Sequence, residues 1–219
     1  MMAVGDEWWL TPQRAALHRP TGTIVVADLH LGYGRARQAT GDSVPELPVA
    51  SVMAPLERLK SLGATRLLIA GDLFEAGYRR AVVDDLVAWC RDVALELVGL
   101  VPGNHDRNLV GRDDLPLFGD DARLGGWRVL HGDGAIPSEP CIHGHDHPCL
   151  RISGRVRTPC YLVSPTRIVL PAFSRDAAGG SVAGVPRWAG FRCAAIVGDE
   201  VLDFGDAATL IHRLAKVMA

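Results

Sequence analysis

The sequence predicts an α/β protein of four layers, α/β/β/α, in which two mixed sheets pack face to face between flanking helices. Three observations carry that expectation. Between residues 23 and 101, apolar β-branched runs alternate with amphipathic helical spacing as strand, helix, strand, helix, strand, which implies right-handed crossovers and a largely parallel sheet. Beyond Asp106 the pattern changes: helical spacing disappears, and short apolar runs separated by turn residues suggest a second, more antiparallel sheet. Strand after strand also ends in a polar cluster containing Asp or His, which places a crevice beyond the carboxyl ends of the strands.

Taken in order, Glu7 to Leu10 reads as a short first strand closed by Thr11-Pro12. Thr23 to Ala27 is a continuous apolar run of the kind a strand covered on both faces requires, and it ends in Asp28-Leu29-His30. Gly32, Gly34 and Gly41, with Arg35 and Arg37 among them, predict a mobile loop whose backbone can approach a ligand closely. From about Pro48 to Leu62, Val52, Leu56, Leu59 and Leu62 share one helical face, although Pro55 should kink the helix or delay its start, and Gly63 stops it. Arg66 to Ala70 is the next strand and ends in Gly71-Asp72. Arg80 to Val93 is an amphipathic helix, and Leu95 to Val101 a strand ending in Pro102-Gly103-Asn104-His105-Asp106. Trp127 to Leu130 ends in His131, and Cys141-Ile142 leads into His143-Gly144-His145-Asp146-His147. Further strands are expected over Leu150 to Val156, Cys160 to Val163, Arg167 to Leu170, Phe191 to Val197 and Val201 to Phe204. Ser174 to Pro186 is glycine-rich and reads as a flexible loop, and Ala207 to Met218 as a closing helix.

A chain of 219 residues without internal repeat, low-complexity segment or evident boundary is expected to form one domain, 1–219. Its apolar fraction of 48% and net charge of −2 suit a globular protein and carry no global signal for nucleic acid or a membrane. Of the 23 basic residues only Lys60 and Lys216 are lysines; composition bias explains that preference, and a set of phosphate-pairing guanidinium forks is the functional alternative. The N-terminal residues carry acids and aromatics where a signal peptide needs positive charge and an apolar stretch, and no apolar run is long enough to span a bilayer. Five cysteines without Cys-x-x-Cys spacing argue against a disulfide framework or zinc knuckle, so the expected location is cytoplasmic.

The strand-end residues form one constellation: Asp28, His30, Asp72, Asn104, His105, Asp106, His131, His145 and His147. One such histidine means little, since an isolated imidazole is usually satisfied by a carbonyl. Five loops supplying carboxylate, imidazole and amide oxygen together make a ligand set suited to Mn²⁺, Fe, Zn²⁺ or Co²⁺ rather than to Ca²⁺. So many donors exceed what one open ion can take, and they suit a pair roughly 3.5–4 Å apart bridged by a carboxylate and a hydroxide.

In their order and spelling these motifs resemble the calcineurin-like metallophosphoesterases: Asp28-Leu29-His30, Gly71-Asp72, Gly103-Asn104-His105-Asp106, His131 and Gly144-His145-Asp146-His147. The resemblance implies the fold of that family and two divalent metal ions, Mn²⁺ first, with Fe, Zn²⁺, Co²⁺ and Ni²⁺ as alternatives. It implies Asp28, His30 and His147 on one ion, Asn104, His131 and His145 on the other, and Asp72 bridging both. His105 is implied as the acid facing the leaving group, oriented by Asp106. The chemistry is consistent with this: two cations bring a bridging water toward a pKa of about 7 for in-line attack on phosphorus, and an imidazole can protonate the departing oxygen near neutrality. His143 should be structural, while Asp146 and Glu75 are candidate partners behind the ligands.

Within the family, Gly71 to Gly77 lacks the arginine of the protein Ser/Thr phosphatases, which turns the reading toward phosphodiesterases. Ala27 to Gly34, Gly144 to Pro148 and Arg167 to Phe173 are similar to the bacterial PdeM-like, ligase-associated DNA-damage-response endonucleases or phosphodiesterases. That similarity implies a phosphoester substrate in nucleic acid, with DNA-repair ligases and helicases as partners and no membrane. Arg151, Arg155, Arg157 and Arg167 are the candidate strand contacts, although their alternation along strands is better explained by a solvated face. The alternatives are a nucleotide or lipid-linked phosphatase or pyrophosphatase, and a non-catalytic scaffold; the full set of expected ligands disfavours the last.

Overall fold

The computed structural model describes residues 1–151 and 157–210, and its first sheet begins with three strands of which sequence reading finds one. Met2–Val4 (β1), Trp8–Leu10 (β2) and Ala16–His18 (β3) form an antiparallel meander that continues into Thr23–Val26 (β4). β3 escapes notice because it contains a buried histidine. His18 stacks on Trp8 with ring centroids 4.8 Å apart, and its Nδ1 lies 2.8 Å from Thr21 Oγ1, so burial leaves that nitrogen satisfied.

β4 pairs in parallel with Arg66–Ala70 (β5), which pairs in parallel with Glu96–Val101 (β6), as the strand–helix alternation predicts. The glycine-rich stretch after His30 differs from expectation: Tyr33–Ala39 is a helix (α1). Gly34 is small there because a Cβ would collide with the main chain of Pro45 and Glu46, so this glycine serves close packing rather than mobility. The helix expected over 48–62 is split into Val49–Met53 (α2) and a 3₁₀ segment, Ala54–Leu62, with Pro55 in its first turn, where a missing N–H does least harm. Arg80–Asp92 (α3) is amphipathic as expected and buries Val82, Val83, Leu86, Trp89 and Cys90.

The second sheet contains Ala122–Leu124 (β7), Trp127–Leu130 (β8), Cys141–His143 (β9), Pro148–Arg151 (β10), Arg157–Ser164 (β11), Arg167–Val169 (β12), Gly180–Ser181 (β13), Arg192–Val197 (β14) and Glu200–Asp206 (β15). β9 lies between β8 and β12, parallel to both, and β11 carries β10, β12 and β14 as antiparallel partners. Part of the glycine-rich stretch 174–186 is therefore strand: β13 runs parallel to β10. Of the expected strand 150–156 and closing helix 207–218, residues 152–156 and 211–218 lie outside the described residues.

Period-2 alternation assigns the layers. Ile24 and Val26 of β4 join Met53, Leu56, Leu59 and Leu86 in a core beneath the helices. Val25 and Ala27 face the other way, into a core shared with Val129, Ile142, Tyr161 and Ile168 of the second sheet. The outer face of that sheet buries Cys160, Leu162 and Cys193 against Val182, Trp188 and Leu210. All five cysteines are buried and free. Tyr161 links the sheets directly: its hydroxyl lies 2.6 Å from the Thr11 carbonyl and 3.1 Å from that of Ala15. Among the described residues no helix is long and apolar enough to cross a membrane.

Candidate metal centre

The parallel strands β4, β5 and β6 end side by side, and main-chain hydrogen bonds carry their alignment into the loops. Asp28 N donates to Gly71 O at 3.0 Å and His30 N to Asp72 O at 3.0 Å. The second sheet is brought to the same place by Ser174 N donating to Asp28 O at 3.0 Å and Leu170 N to His143 O at 2.7 Å. Six expected ligands, Asp28, His30, Asp72, His131, His145 and His147, thus converge from both sheets, and Asn104 joins them from the end of β6.

Three glycines make that convergence physically possible. A Cβ on Gly71 would fall on the His131 ring, one on Gly103 would fall on the Asp72 carboxylate, and one on Gly144 would fall on Ala27 and Asp28. The glycine preceding each ligand in Gly71-Asp72, Gly103-Asn104 and Gly144-His145 is therefore a space requirement of the site. The backbone is also strained where it turns: Asp28, His30, Asp72, His145 and His147 all have left-handed φ, between 43° and 68°. Five of the seven expected ligands thus occupy a conformation that costs L-residues energy, a pattern that points to function.

Among the described residues, two groupings outline the centre. Asp28, His30 and His147 bring ligand atoms within 4.8 Å of one another, and Asp28, Asp72 and His131 do the same. Around His131 Nε2 stand Asn104 Oδ1 at 3.1 Å, His145 Nδ1 at 3.2 Å and Asp72 Oδ2 at 3.4 Å. His131 Nδ1 sits 3.2 Å from the Ala70 carbonyl; a carbonyl only accepts, so Nδ1 carries the hydrogen and Nε2 faces the cluster. Asp72 thus touches the second grouping and lies beside the first. Asn104 and His145 are exposed, which leaves an open mouth over buried Asp28, Asp72 and His131.

Electrostatics favour a cation. Asp28 and Asp72 are 0% and 2% exposed, and their ion-pair partners among the described residues are histidines rather than Lys or Arg. Burial would lower the His131 imidazole, but the hydrogen bond and charge of Asp72, with the charge of Asp28, outweigh it and raise it to about 9. Burial opposes a rise at His147 too, and Asp28 reverses it. Burial would raise the Asp72 carboxyl, yet contact with His131 and the His105 N–H holds it below the usual carboxylate range. His30 is lowered, its burial outweighing the pull of Asp72, Asp28 and Glu75, and so is kept neutral as ligation demands. Without metal, two buried carboxylates depend on protons borrowed by neighbouring imidazoles; the donor set fits a divalent cation pair.

His105 and Asp106 sit where β6 ends, but not in the relation expected. His105 Nδ1 lies 2.8 Å from the Glu75 main-chain oxygen, so it is this carbonyl that orients the ring. The Asp106 carboxylate instead accepts from Phe74 N at 3.0 Å and Gly103 N at 2.9 Å, fastening the loop after β5 to the loop after β6. Burial raises its carboxyl to about 6 against those two N–H groups. A carboxylate three residues beyond Gly103 closes that turn more readily than it reaches its neighbour's ring. Glu75 also serves behind a ligand, with Oε2 2.9 Å from His30 Nδ1, although outside hydrogen-bond geometry. Asp146 turns outward to Arg187 at 2.6 Å, and His143 is buried with Nδ1 on the Gly144 carbonyl at 3.0 Å, the structural part expected of it.

No family model and no curated protein matches the sequence. Among solved structures, the nuclease MPE of Pseudomonas putida aligns with a TM-score of 0.70 at 24% identity, over 90% of this chain and 94% of its own. This chain has the fold of that nuclease. The phosphoesterase YfcE of E. coli aligns with a TM-score of 0.42 at 15% identity, over 84% of this chain and 98% of its own. Sequence reasoning missed Arg14 and Arg175, which line the cavities beside the centre. Nothing in their local sequence marks them, and Arg14 lines both cavities from a left-handed φ of 58° that no pattern announces.

Proposed function

We propose that the chain is a calcineurin-like metallophosphoesterase that hydrolyses phosphodiesters, with nucleic acid as the substrate class and Mn²⁺ as the first metal to test. The observation that carries this is the ring of Asp72, Asn104 and His145 donors within 3.4 Å of His131 Nε2, set beside Asp28, His30 and His147. Asp28, His30 and His147 would hold one ion, Asn104, His131 and His145 the other, and Asp72 both. Bound there, two cations supply polarisation of water and neutralisation of phosphoryl oxygens.

The chain's own residues do the rest. Main-chain N–H groups of His145 and His105 donate to the Asp28 and Asp72 carboxylates at 3.0 and 2.8 Å, fixing their oxygens toward the centre. Because His105 Nδ1 donates to the Glu75 carbonyl, Nε2 is the nitrogen that holds a proton for the departing oxygen. A ring nitrogen of His105 lies within 4.8 Å of ligand atoms of His30 and Asp72, close enough to serve a group bound over them. The nuclease fold of the solved relative supports a diester in a nucleic-acid strand, and the association with repair ligases and helicases rests on the sequence resemblance alone.

The test is hydrolysis of bis-nitrophenyl phosphate against nitrophenyl phosphate with added Mn²⁺. Faster diester turnover, abolished by chelation, is the expected result. Preference for the monoester transfers the proposal to nucleotide phosphatases, and absence of turnover with every divalent metal tried would leave an interaction scaffold.

A further inference from the structure

Two cavities flank the metal centre, of about 650 and 410 Å³. His30 lines the first and His147 the second, so the grouping of Asp28, His30 and His147 stands between them. Among the described residues, Arg14 and Arg175 alone line both cavities. The smaller cavity adds Arg157 and has no carboxylate among the described residues that line it.

Arg14 is built into this position. Its backbone takes a left-handed φ of 58°, and Nη1 donates to the carbonyls of Ser174 at 2.7 Å and Ala172 at 3.3 Å, on the segment that leads to Arg175. Burial lowers its pKa, and the nearby charge of Arg175 adds to that. Arg157 donates to the Ala178 carbonyl at 3.1 Å and stands directly across the β10–β11 pair from Arg151. Like charges facing each other across strands are unfavourable unless something anionic lies over them. Among the described residues Arg14, Arg157 and Arg175 touch carbonyls or one another's field but no carboxylate.

We propose that Arg14, Arg157 and Arg175 form a subsite in the smaller cavity that binds a second phosphate of a nucleic-acid strand, next to the phosphate held at the metal centre. The proposal rests on the phosphodiesterase reading above for what occupies the centre, and it adds the residues that favour a strand over a lone phosphodiester. Guanidinium forks match phosphate geometry with two parallel hydrogen bonds, and each phosphate neutralised releases counterions, so the subsite should make binding depend on salt.

Binding without turnover separates the two ideas. A labelled oligothymidylate is titrated with metal-free protein in chelator across a salt series, and an oligouridylate serves as the second arm. The wild type should bind, Arg175→Glu should weaken binding about tenfold or more, and Arg175→Ala should lower the log–log salt slope by about 0.7 for each phosphate no longer neutralised. Arg157→Ala should act in the same direction, and thermal unfolding checks that each variant is folded. With Mn²⁺, strand cleavage by the variants should fall about tenfold further than cleavage of bis-nitrophenyl phosphate, which has no second phosphate. No binding by the wild type, equal binding by the variants, or equal loss on both substrates overturns the subsite. Weakened strand binding in a protein that hydrolyses neither ester keeps the subsite and removes the enzymatic reading. Preference between the two strands decides whether DNA or RNA supplies the phosphates.

Discussion

His105 and Asp72 carry the sharpest expectations at the scale of single residues. If His105 serves the leaving group and the Glu75 carbonyl aims it, His105→Ala should keep both metals while turnover on substrates with poor leaving groups falls about 10²–10⁴-fold. Nitrophenyl esters, whose leaving group hardly needs a proton, should suffer less; metal loss in the variant would contradict the role. Asp72 lies against His131 and beside His30, so Asp72→Asn should weaken both metal sites together in a calorimetric titration, and loss of one ion alone would argue against a bridge. Most of these residues are legible in the sequence because chemistry needs particular side chains at strand ends, and side-chain type is what a sequence records. Arg14 and the Glu75 carbonyl are not legible, since one depends on a backbone angle and the other on a main-chain atom that every residue possesses.

At the scale of elements, the turns after β5, β6 and β9 explain what each motif glycine does. Gly71 has φ of 86°, and a Cβ there meets the His131 ring, so Gly71→Ala combines backbone strain with overpacking. The expected outcome is a loss of about 1–3 kcal/mol in stability together with weakened metal binding, read by chemical unfolding and calorimetry. A variant with unchanged metal affinity would mean that His131 can move aside at no consequence. The same reasoning shows where glycine misleads: Gly34 suggests a loop by composition, yet it allows α1 to pack on Pro45 and Glu46. Parallel strands β4, β5 and β6 and α3 are readable because burial on both faces, or on one helical stripe, forces a pattern. β1, β3, β7 and β13 are two or three residues long, too short for any period to emerge, and their pairing partners decide them.

At the scale of the molecule, the two sheets share a core, and Tyr161 supplies its polar fastening. Tyr161→Phe leaves the Thr11 carbonyl without the hydroxyl 2.6 Å away and should cost about 1–3 kcal/mol, or roughly 2–4 °C in Tm for each kcal/mol. Metal stoichiometry should not change, because that hydroxyl lies in the sandwich interior rather than at the crevice. The buried thiols give a second global readout. Burial pushes Cys90 up to about 12, so it stays protonated in the folded chain where an unfolded thiol ionises. Its contribution to stability therefore declines as pH rises from about 9 toward 12, and a thiol reagent at pH 8 should find all five cysteines only after denaturation.

The left-handed backbone at Asp28, His30, Asp72, His145 and His147 also bears on how such a chain tolerates change. Each of these angles is one that glycine adopts freely, so substitution by glycine relieves strain that the native side chain maintains. His145→Gly is the mildest case, its side chain being exposed, and it should unfold no earlier than the metal-free parent while binding metal poorly. Selection for heat resistance alone would thus erode the crevice first.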